Sequence, residues 1–300
     1  MLAQYSDWLF VAAVVVYVLA MVLHAYAQAT LRTRAAVLVG AGEAEPAEDP
    51  APGRADRFAG MGGSLAVLGA LLHVASIATR GLATGRWPIG NMYEFISMVT
   101  FAAVVTWLVM LRRTPGARAA APWVLLLVVV LMTIAGTAIY TPAGPVMPAL
   151  KSYWLPVHVT AIAVSSGLLL VSGMASLLFL LRSWNRVPAA LAERLPAADL
   201  LDRVAYRIMI VAFPLYTFAV VAGAVWAESA WGRFWGWDPK ETVAFVAWVI
   251  YAAYLHARAT AGWRTGRAAW VNVAGFATMI FNLFFINLVV AGLHSYAGVG

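Results

Sequence analysis

The residues best suited to chemistry in this sequence form one aromatic and charged segment, residues 231–241, which read WGRFWGWDPKE. A belt of aromatic residues at a membrane surface would explain any single Trp, but such a belt needs no ordered charges. Flat aromatic faces beside fixed donors and acceptors suit a large planar ligand with anionic edges, whose carboxylates Arg233 or Lys240 would meet. The candidate binding residues of this segment are Trp231, Arg233, Trp235, Trp237, Asp238 and Lys240.

Five histidines form the second group of candidates, because neutral imidazole is a common metal ligand. They are His24, His73, His158, His256 and His294. Two imidazoles that converge from two helices would hold haem iron from opposite sides. The competing interpretation is that each histidine only forms a hydrogen bond across a helix bundle.

The composition indicates that a lipid bilayer surrounds these residues. Of the 300 residues, 63% are hydrophobic and 11% are charged, whereas soluble domains average roughly 45–50% and about 25%. The strand alternation of a membrane barrel is not evident, and fibrous, disordered and nucleic-acid-binding classes do not fit. The chain has no cysteine, so any thiol in its chemistry must belong to a partner.

The predicted fold class is therefore all-α, a polytopic membrane helix bundle. A spanning helix needs about 20 mostly apolar residues. Eight such stretches are present, near residues 8–27, 61–79, 93–111, 122–140, 157–181, 208–226, 241–257 and 268–293. Residues 1–60 are predicted to form an N-terminal transmembrane helix and a cytoplasmic loop, and residues 61–300 a second unit. Residues 41–52 are predicted to be a flexible loop, and residues 183–206 an amphipathic surface segment.

The basic residues predict the orientation of the bundle. When successive loops are assigned to alternate sides, 15 of the 20 lysines and arginines fall on one side. Such an excess marks the cytoplasmic side, so both termini and residues 231–241 are predicted to lie outside. The first span carries Asp7 and no leading positive charge, which favours an uncleaved helix over a signal peptide.

The predicted spans also set the depth of each histidine. His158 and His294 are expected at the depth of residues 231–241. His256 follows Glu241 by 15 residues, which is roughly 22 Å along a helix at about 1.5 Å per residue. It is therefore predicted to lie in the inner half of the membrane, either as a second ligand site or as an interfacial histidine. His73 and His24 are weaker ligand candidates, and His24 is expected at the inner interface.

Four segments resemble one family of haem-handling membrane proteins, the CcsA/ResC-type subunit of the system II cytochrome c synthetase. Residues 231–241 are similar to the WWD motif of that family, a highly specific signal, and are called the WWD loop below. Residues 85–94 (GRWPIGNMYE), 151–158 (KSYWLPVH) and 292–296 (GLHSY) also agree, in the family order. The resemblance covers about residues 61–300, which would form a haem-handling WWD-type domain.

The resemblance implies that His158 and His294 ligate haem iron beside the WWD loop and that His256 belongs to a deeper haem site. It implies haem b as substrate and ligand. The implied reaction adds the two thiols of an apocytochrome CxxCH motif to the haem vinyl groups on the outer face of the membrane. The chain would thus be the haem-handling part of a haem lyase, although the sequence shows no general acid/base pair and no catalytic residue is assigned.

The resemblance also implies partners and a location. The family works with a second membrane subunit of the ResB type. Apocytochrome c and thiol-reducing proteins are further expected partners, and no nucleic acid is expected. The implied location is the plasma (inner) membrane, or the thylakoid membrane in a plastid-type lineage, with the WWD loop outside.

Three other functions stay open from the sequence. A haem-presenting protein that supplies a separate chaperone would share the WWD loop, although the segments that match outside it disfavour this function. A respiratory cytochrome b-type electron-transfer subunit commonly carries two histidines on one helix, whereas successive histidines here are 49, 85, 98 and 38 residues apart. A solute transporter would show inverted repeats and broken helices, which are not apparent.

Overall fold

The computed structural model describes residues 1–40, 53–146, 152–184, 195–260, 263 and 266–294. All regular structure within these residues is helical, which confirms the predicted fold class. Eight helices are long and apolar enough to cross a membrane. They are α1 (Leu2–Gly40), α2 (Arg54–Thr84), α3 (Met92–Arg113), α4 (Ala121–Thr137), α5 (Trp154–Ser183), α6 (Ala198–Trp231), α7 (Pro239–Thr260) and α8 (Gly266–Phe281).

Each helix corresponds to one predicted span, and α6 begins earlier than its span. It starts at Ala198, and Leu201 in its first turns is 2% exposed. Residues 198–206 therefore continue a membrane helix and do not form a separate surface segment. Residues 185–194 of that predicted segment and the predicted loop at residues 41–52 lie outside the described residues.

The last helix ends earlier than its predicted span. α8 continues into a π-helical turn, Asn282–Ile286, and helical structure stops at Leu288. The spacing of seven residues between Asn287 and His294 predicts that the two side chains share one helix face. Because helical structure stops before His294, this prediction is wrong. His294 lies in the non-helical segment that follows α8.

The central helix of the bundle is α5. It packs against α3, α6 and α8. In an apolar stretch of 18 residues within α5, 67% of the residues are buried, compared with 17% in the corresponding stretch of α7. Two glycines permit these close contacts. A Cβ added at Gly167 would lie 2.6 Å from the Cβ of Ala102 in α3, and one at Gly173 would lie 2.5 Å from the ring of Phe276 in α8. Small residues at helix contacts are typical of membrane bundles. Of the eight spanning helices in the described residues, α7 has the smallest buried share.

Two of the five histidines are core residues on α1 and α2. The Nε2 atom of His73 lies 3.0 Å from Ser97 Oγ, and its Nδ1 atom lies 3.5 Å from the Tyr17 hydroxyl. Both ring nitrogens of His73 thus have a polar partner, which supports a structural role. His24 is 4% exposed and packs against Gly62 of α2.

A buried ion network ties α2 and α3 to the segment between them. Glu94, in the first turn of α3, is 1% exposed. Its carboxylate accepts hydrogen bonds from Arg80 Nε and Arg86 Nη1, both at 2.8 Å. It also accepts the Gly90 N–H at 2.7 Å. Since residues 89–92 line the pocket described below, this network fixes one wall of that pocket.

Replacement of Glu94 by Gln is expected to destabilise the protein by about 3–5 kcal/mol, the usual cost of breaking a buried ion pair. Arg86 would lose its carboxylate partner, and Arg80 would keep, among the described residues, only Asp7, whose Oδ1 lies 3.6 Å from Arg80 Nη1. The free energy of unfolding in detergent measures the effect. Glu228→Gln, at an exposed position near the end of α6, is the matched control and should change that free energy by less than about 0.5 kcal/mol. Equal stability of the two variants would contradict this role of Glu94.

Candidate functional site

A large pocket opens at the end of the bundle that carries the WWD loop. Helices α3, α5, α6, α7 and α8 all contribute to its wall. The space between its walls, with the open mouth counted, is about 1260 Å³. Apolar side chains form most of the lining. The ionisable and amide side chains in it are Asn91, His158, Tyr216, Lys240, Glu241, Asn282, Asn287 and His294.

His158 reaches the pocket from the first turns of α5. Its Nδ1 atom lies 2.9 Å from the carbonyl oxygen of Ala219 in α6. A carbonyl only accepts, so Nδ1 carries the hydrogen and the lone pair of the ring lies on Nε2. The ring fits here because α6 has a glycine beside it: a Cβ at Gly223 would lie 2.6 Å from His158 Cε1.

His294 reaches the same pocket from the segment after α8, and its Nδ1 atom lies 2.8 Å from Asp238 Oδ2. Burial opposes the charge on Asp238, but the hydrogen bonds from His294 and from the Leu293 N–H outweigh burial and hold the pKa of Asp238 below its usual range. Burial lowers the pKa of His294, and the hydrogen bond to Asp238 offsets this only in part. The pair is thus a carboxylate with a neutral imidazole. Nδ1 donates to the carboxylate, and the lone pair lies on Nε2.

A tryptophan of α6 contacts both histidines. The ring of Trp226 is parallel to that of His158, with centroids 6.0 Å apart, and its centroid is 5.9 Å from that of His294. Trp226 is 2% exposed and lines the pocket. Trp226 cannot be recognised as a site residue from the sequence, because a Trp in an apolar span looks the same whether it lies in a site or in the core.

The WWD loop folds around the carboxylate of Glu241. Its Oε2 atom accepts the N–H of Gly236 at 2.9 Å and that of Asp238 at 3.1 Å. Trp231 contacts the ring of His294 at 5.0 Å, and Trp235 lines the pocket. The structure therefore places Trp231 beside His294 and Trp235 in the pocket wall.

Two other candidates in the loop lie outside the pocket wall. Trp237 is 66% exposed and contacts Trp235 and Phe245 on the outside of the bundle. Arg233 is exposed, and its guanidinium lies over Gly236, where a Cβ would be 2.0 Å from Arg233 Cζ. Both residues face the surface beside the pocket mouth.

Lys240 and two asparagines form the polar side of the pocket. Lys240 Nζ donates to Asn287 Oδ1, and Asn282 Nδ2 donates to the Lys240 carbonyl at 3.3 Å. Asn282 Oδ1 is buried and has no hydrogen-bond partner among the described residues. Lys240 is the single lysine or arginine among the described residues of the lining. Asn282 cannot be predicted as a site residue from the sequence, because the π-helical turn that begins there does not change the pattern of apolar residues.

His256 lies apart from this pocket, toward the other end of α7. Its side chain is exposed, on the same face of the helix as Phe245 and Val249, which are 40% and 45% exposed. No hydrogen bond to its ring occurs within the described part of the chain. The structure thus separates His256 from His158 and His294 along the bundle, and the depth of His256 in a membrane stays a prediction.

Comparison with known proteins gives consistent matches. The family model described as cytochrome C assembly protein matches residues 89–294. The cytochrome c biogenesis protein CcsA of Synechococcus sp. (strain CC9605) is 36% identical over 270 residues, covering 79% of this chain and 87% of that protein. The CcsA protein of Gloeobacter violaceus (strain ATCC 29082 / PCC 7421) is 32% identical over 286 residues, covering 74% and 84%.

A solved structure shares the fold. The cytochrome c haem lyase CcmF matches with a TM-score of 0.66 at 16% identity, covering 95% of this chain and 47% of that one. The family match includes His158, the WWD loop and His294. Together with the CcsA relatives, these matches show that the chain belongs to the cytochrome c assembly protein family, as a CcsA-type multi-pass membrane protein of cytochrome c biogenesis.

Proposed function

We propose that this protein holds haem b between His158 and His294 and presents it for covalent attachment to apocytochrome c. The observation that carries the proposal is the pairing of the two histidines in one pocket. The hydrogen bonds at Nδ1 leave the lone pair of each ring on Nε2, and both rings lie against the indole of Trp226. Imidazole is a common axial ligand of haem iron.

The rest of the pocket fits the other parts of haem. The apolar lining, with Trp226 and Trp235, suits the porphyrin faces. Lys240 is the cation of the lining, and Asn282 lies beside it. A lysine and an amide N–H are suitable partners for propionate carboxylates. Trp237 and Arg233, on the surface at the mouth, would meet the incoming apocytochrome or the rim of haem.

Positioning is the contribution of this chain to the attachment reaction. Each apocytochrome thiol adds across one vinyl group: sulfur bonds to the carbon next to the porphyrin ring, and the thiol hydrogen ends on the terminal carbon. No electrons are gained or lost in this addition. The chain contains no cysteine, so both sulfur atoms come from the CxxCH segment. Two fixed axial ligands hold the porphyrin in one orientation while the thiols approach.

We further propose that His256 belongs to a second haem site shared with another membrane chain of the ResB type. Haem iron bound by the single exposed imidazole on α7 would need its second ligand from a neighbouring helix. Of the eight described spanning helices, α7 is the least buried and so can be contacted by another chain. In this arrangement the WWD loop faces the outside of the plasma (inner) membrane or the corresponding side of a thylakoid membrane. The excess of basic residues in the other loops supports that orientation.

An absorption spectrum of the purified protein tests haem binding, and a CxxCH peptide tests the attachment. The expected result is a haem spectrum typical of two histidine ligands, and, in the presence of the membrane partner and a reductant, transfer of haem to the peptide as a thioether. Absence of a haem band after haem is supplied would overturn the proposal. Haem that binds but stays non-covalent in the complete assay would instead favour presentation to a separate carrier.

A further inference from the structure

We propose that Asp238 acts on haem through His294, as the residue that orients the imidazole and determines which ring nitrogen meets the iron. The inference rests on the proposed function, which makes His294 a ligand. It differs from direct binding of haem by Asp238, which the position of that residue in the WWD loop suggests. Asp238 is 7% exposed and is not among the residues that line the pocket.

Both carboxylate oxygens of Asp238 are engaged by the segment after α8. Oδ1 accepts the Leu293 N–H at 2.7 Å, and Oδ2 accepts His294 Nδ1–H at 2.8 Å. The chain passes close above the carboxylate at Gly292, where a Cβ would lie 2.8 Å from Oδ1. Three successive residues therefore pack on one carboxylate, which anchors the segment that follows the end of helical structure at Leu288.

The carboxylate also selects the tautomer of His294. Asp238 can only accept, so the ring hydrogen stays on Nδ1 and Nε2 keeps its lone pair for a metal. Metal-ligating histidines commonly donate their other N–H to a carboxylate or a carbonyl, which fixes the ring and raises its basicity. His158 donates to the Ala219 carbonyl, a neutral group. His294 is thus the stronger electron donor of the two ligands.

Replacement of Asp238 by Asn tests this role, because the amide cannot serve both neighbours. The Leu293 N–H needs an acceptor, so the amide oxygen takes the place of Oδ1 and the NH₂ group faces His294 Nδ1. Nδ1 must then accept, and the ring hydrogen moves to Nε2. Titration of ferric haem b into the purified protein should show an affinity about 10–100-fold lower, as for other residues behind a metal ligand.

Two further variants separate the tautomer effect from a general loss of contacts. Asp238→Ala removes both hydrogen bonds but leaves the tautomer of His294 free, so its loss of affinity should be smaller than that of Asp238→Asn. Glu228→Gln removes one carboxylate from an exposed position near the end of α6 and should leave the affinity unchanged. Thermal unfolding of each variant identifies any protein that fails to fold. If Asp238→Asn fails to fold, Asp238→Ala alone is used for the comparison with the His294→Gly background.

The same substitutions in a His294→Gly background distinguish action through His294 from direct contact. If Asp238 acts through the ring, its replacement should change neither the residual haem affinity nor the absorption spectrum once His294 is gone. An equal loss in both backgrounds, no loss with His294 present, or a loss in Asp238→Ala as large as that in Asp238→Asn would overturn the inference. A wild-type protein that binds no haem would overturn the proposed function instead.

Discussion

Replacement of His158 by Gly is expected to abolish cytochrome c maturation and to lower the haem affinity strongly, and the same result is expected for His294→Gly. The two imidazoles enter the pocket from different elements, α5 and the segment after α8, so neither can take the place of the other. Haem iron would keep one protein ligand. Added imidazole is small enough to occupy the space that the ring leaves, and it should restore part of the maturation. Haem absorption and the yield of covalent cytochrome c measure both effects.

The control for this experiment removes another buried imidazole. His24 is buried on α1 against Gly62 of α2 and does not line the pocket. His24→Gly should therefore lose stability without a specific loss of haem, and added imidazole should not change its maturation. Full cytochrome c maturation by His158→Ala would contradict a haem site made by His158 and His294.

The sequence predicts the helices well, and it singles out the two histidines that share the pocket, because both depend on strong local signals. A run of about 20 apolar residues has few alternatives to a spanning helix, and each of the eight predicted spans corresponds to a helix among the described residues. His158 and His294 are predicted at one depth, and the structure places both in one pocket. Their pairing thus follows from the order of the helices and the rarity of ionisable groups in a membrane.

The parts of the site that the sequence does not predict depend on the ends of elements and on contacts between helices. The π-helical turn at residues 282–286 and the end of α8 near Leu288 carry His294 back to Asp238. Apolar periodicity cannot register such a turn, since the residues stay equally hydrophobic. Trp226 is missed for a related reason, because its importance lies in its two histidine neighbours and not in its own type or spacing.

The WWD loop shows a further limit of sequence reasoning. Composition identifies its aromatic and charged residues as one binding cluster, yet the structure divides them. Trp235 and Lys240 line the pocket, whereas Trp237 and Arg233 lie at the surface. The backbone fold sets this division. Trp237 has a positive φ of 56°, a rare conformation for a bulky residue, and composition alone gives no sign of such a turn.

Replacement of His256 by Ala is expected to remove haem from the outer pocket as well as from the deep site. If haem enters from the cytoplasmic side, every molecule that reaches His158 and His294 first passes His256. The exposed face of α7 offers a continuous route, because it runs from His256 past Val249 to Phe245. Phe245 in turn contacts Trp235 and Trp237 of the WWD loop at 6.4 and 6.3 Å between ring centroids.

A structural histidine at this position predicts a different result. The His256 ring is exposed and forms no hydrogen bond within the described part of the chain, so its loss should change the free energy of unfolding by less than about 0.5 kcal/mol, with haem still reaching the outer pocket. Haem content and thermal stability of His256→Ala, measured in parallel and in the presence of the membrane partner, distinguish the two roles. Val221→Ala, at an exposed position of α6 away from that face, is the control and should keep its haem. Normal haem content in His256→Ala would eliminate the deep site and leave the pocket between α5 and α8 as the sole haem site of the protein.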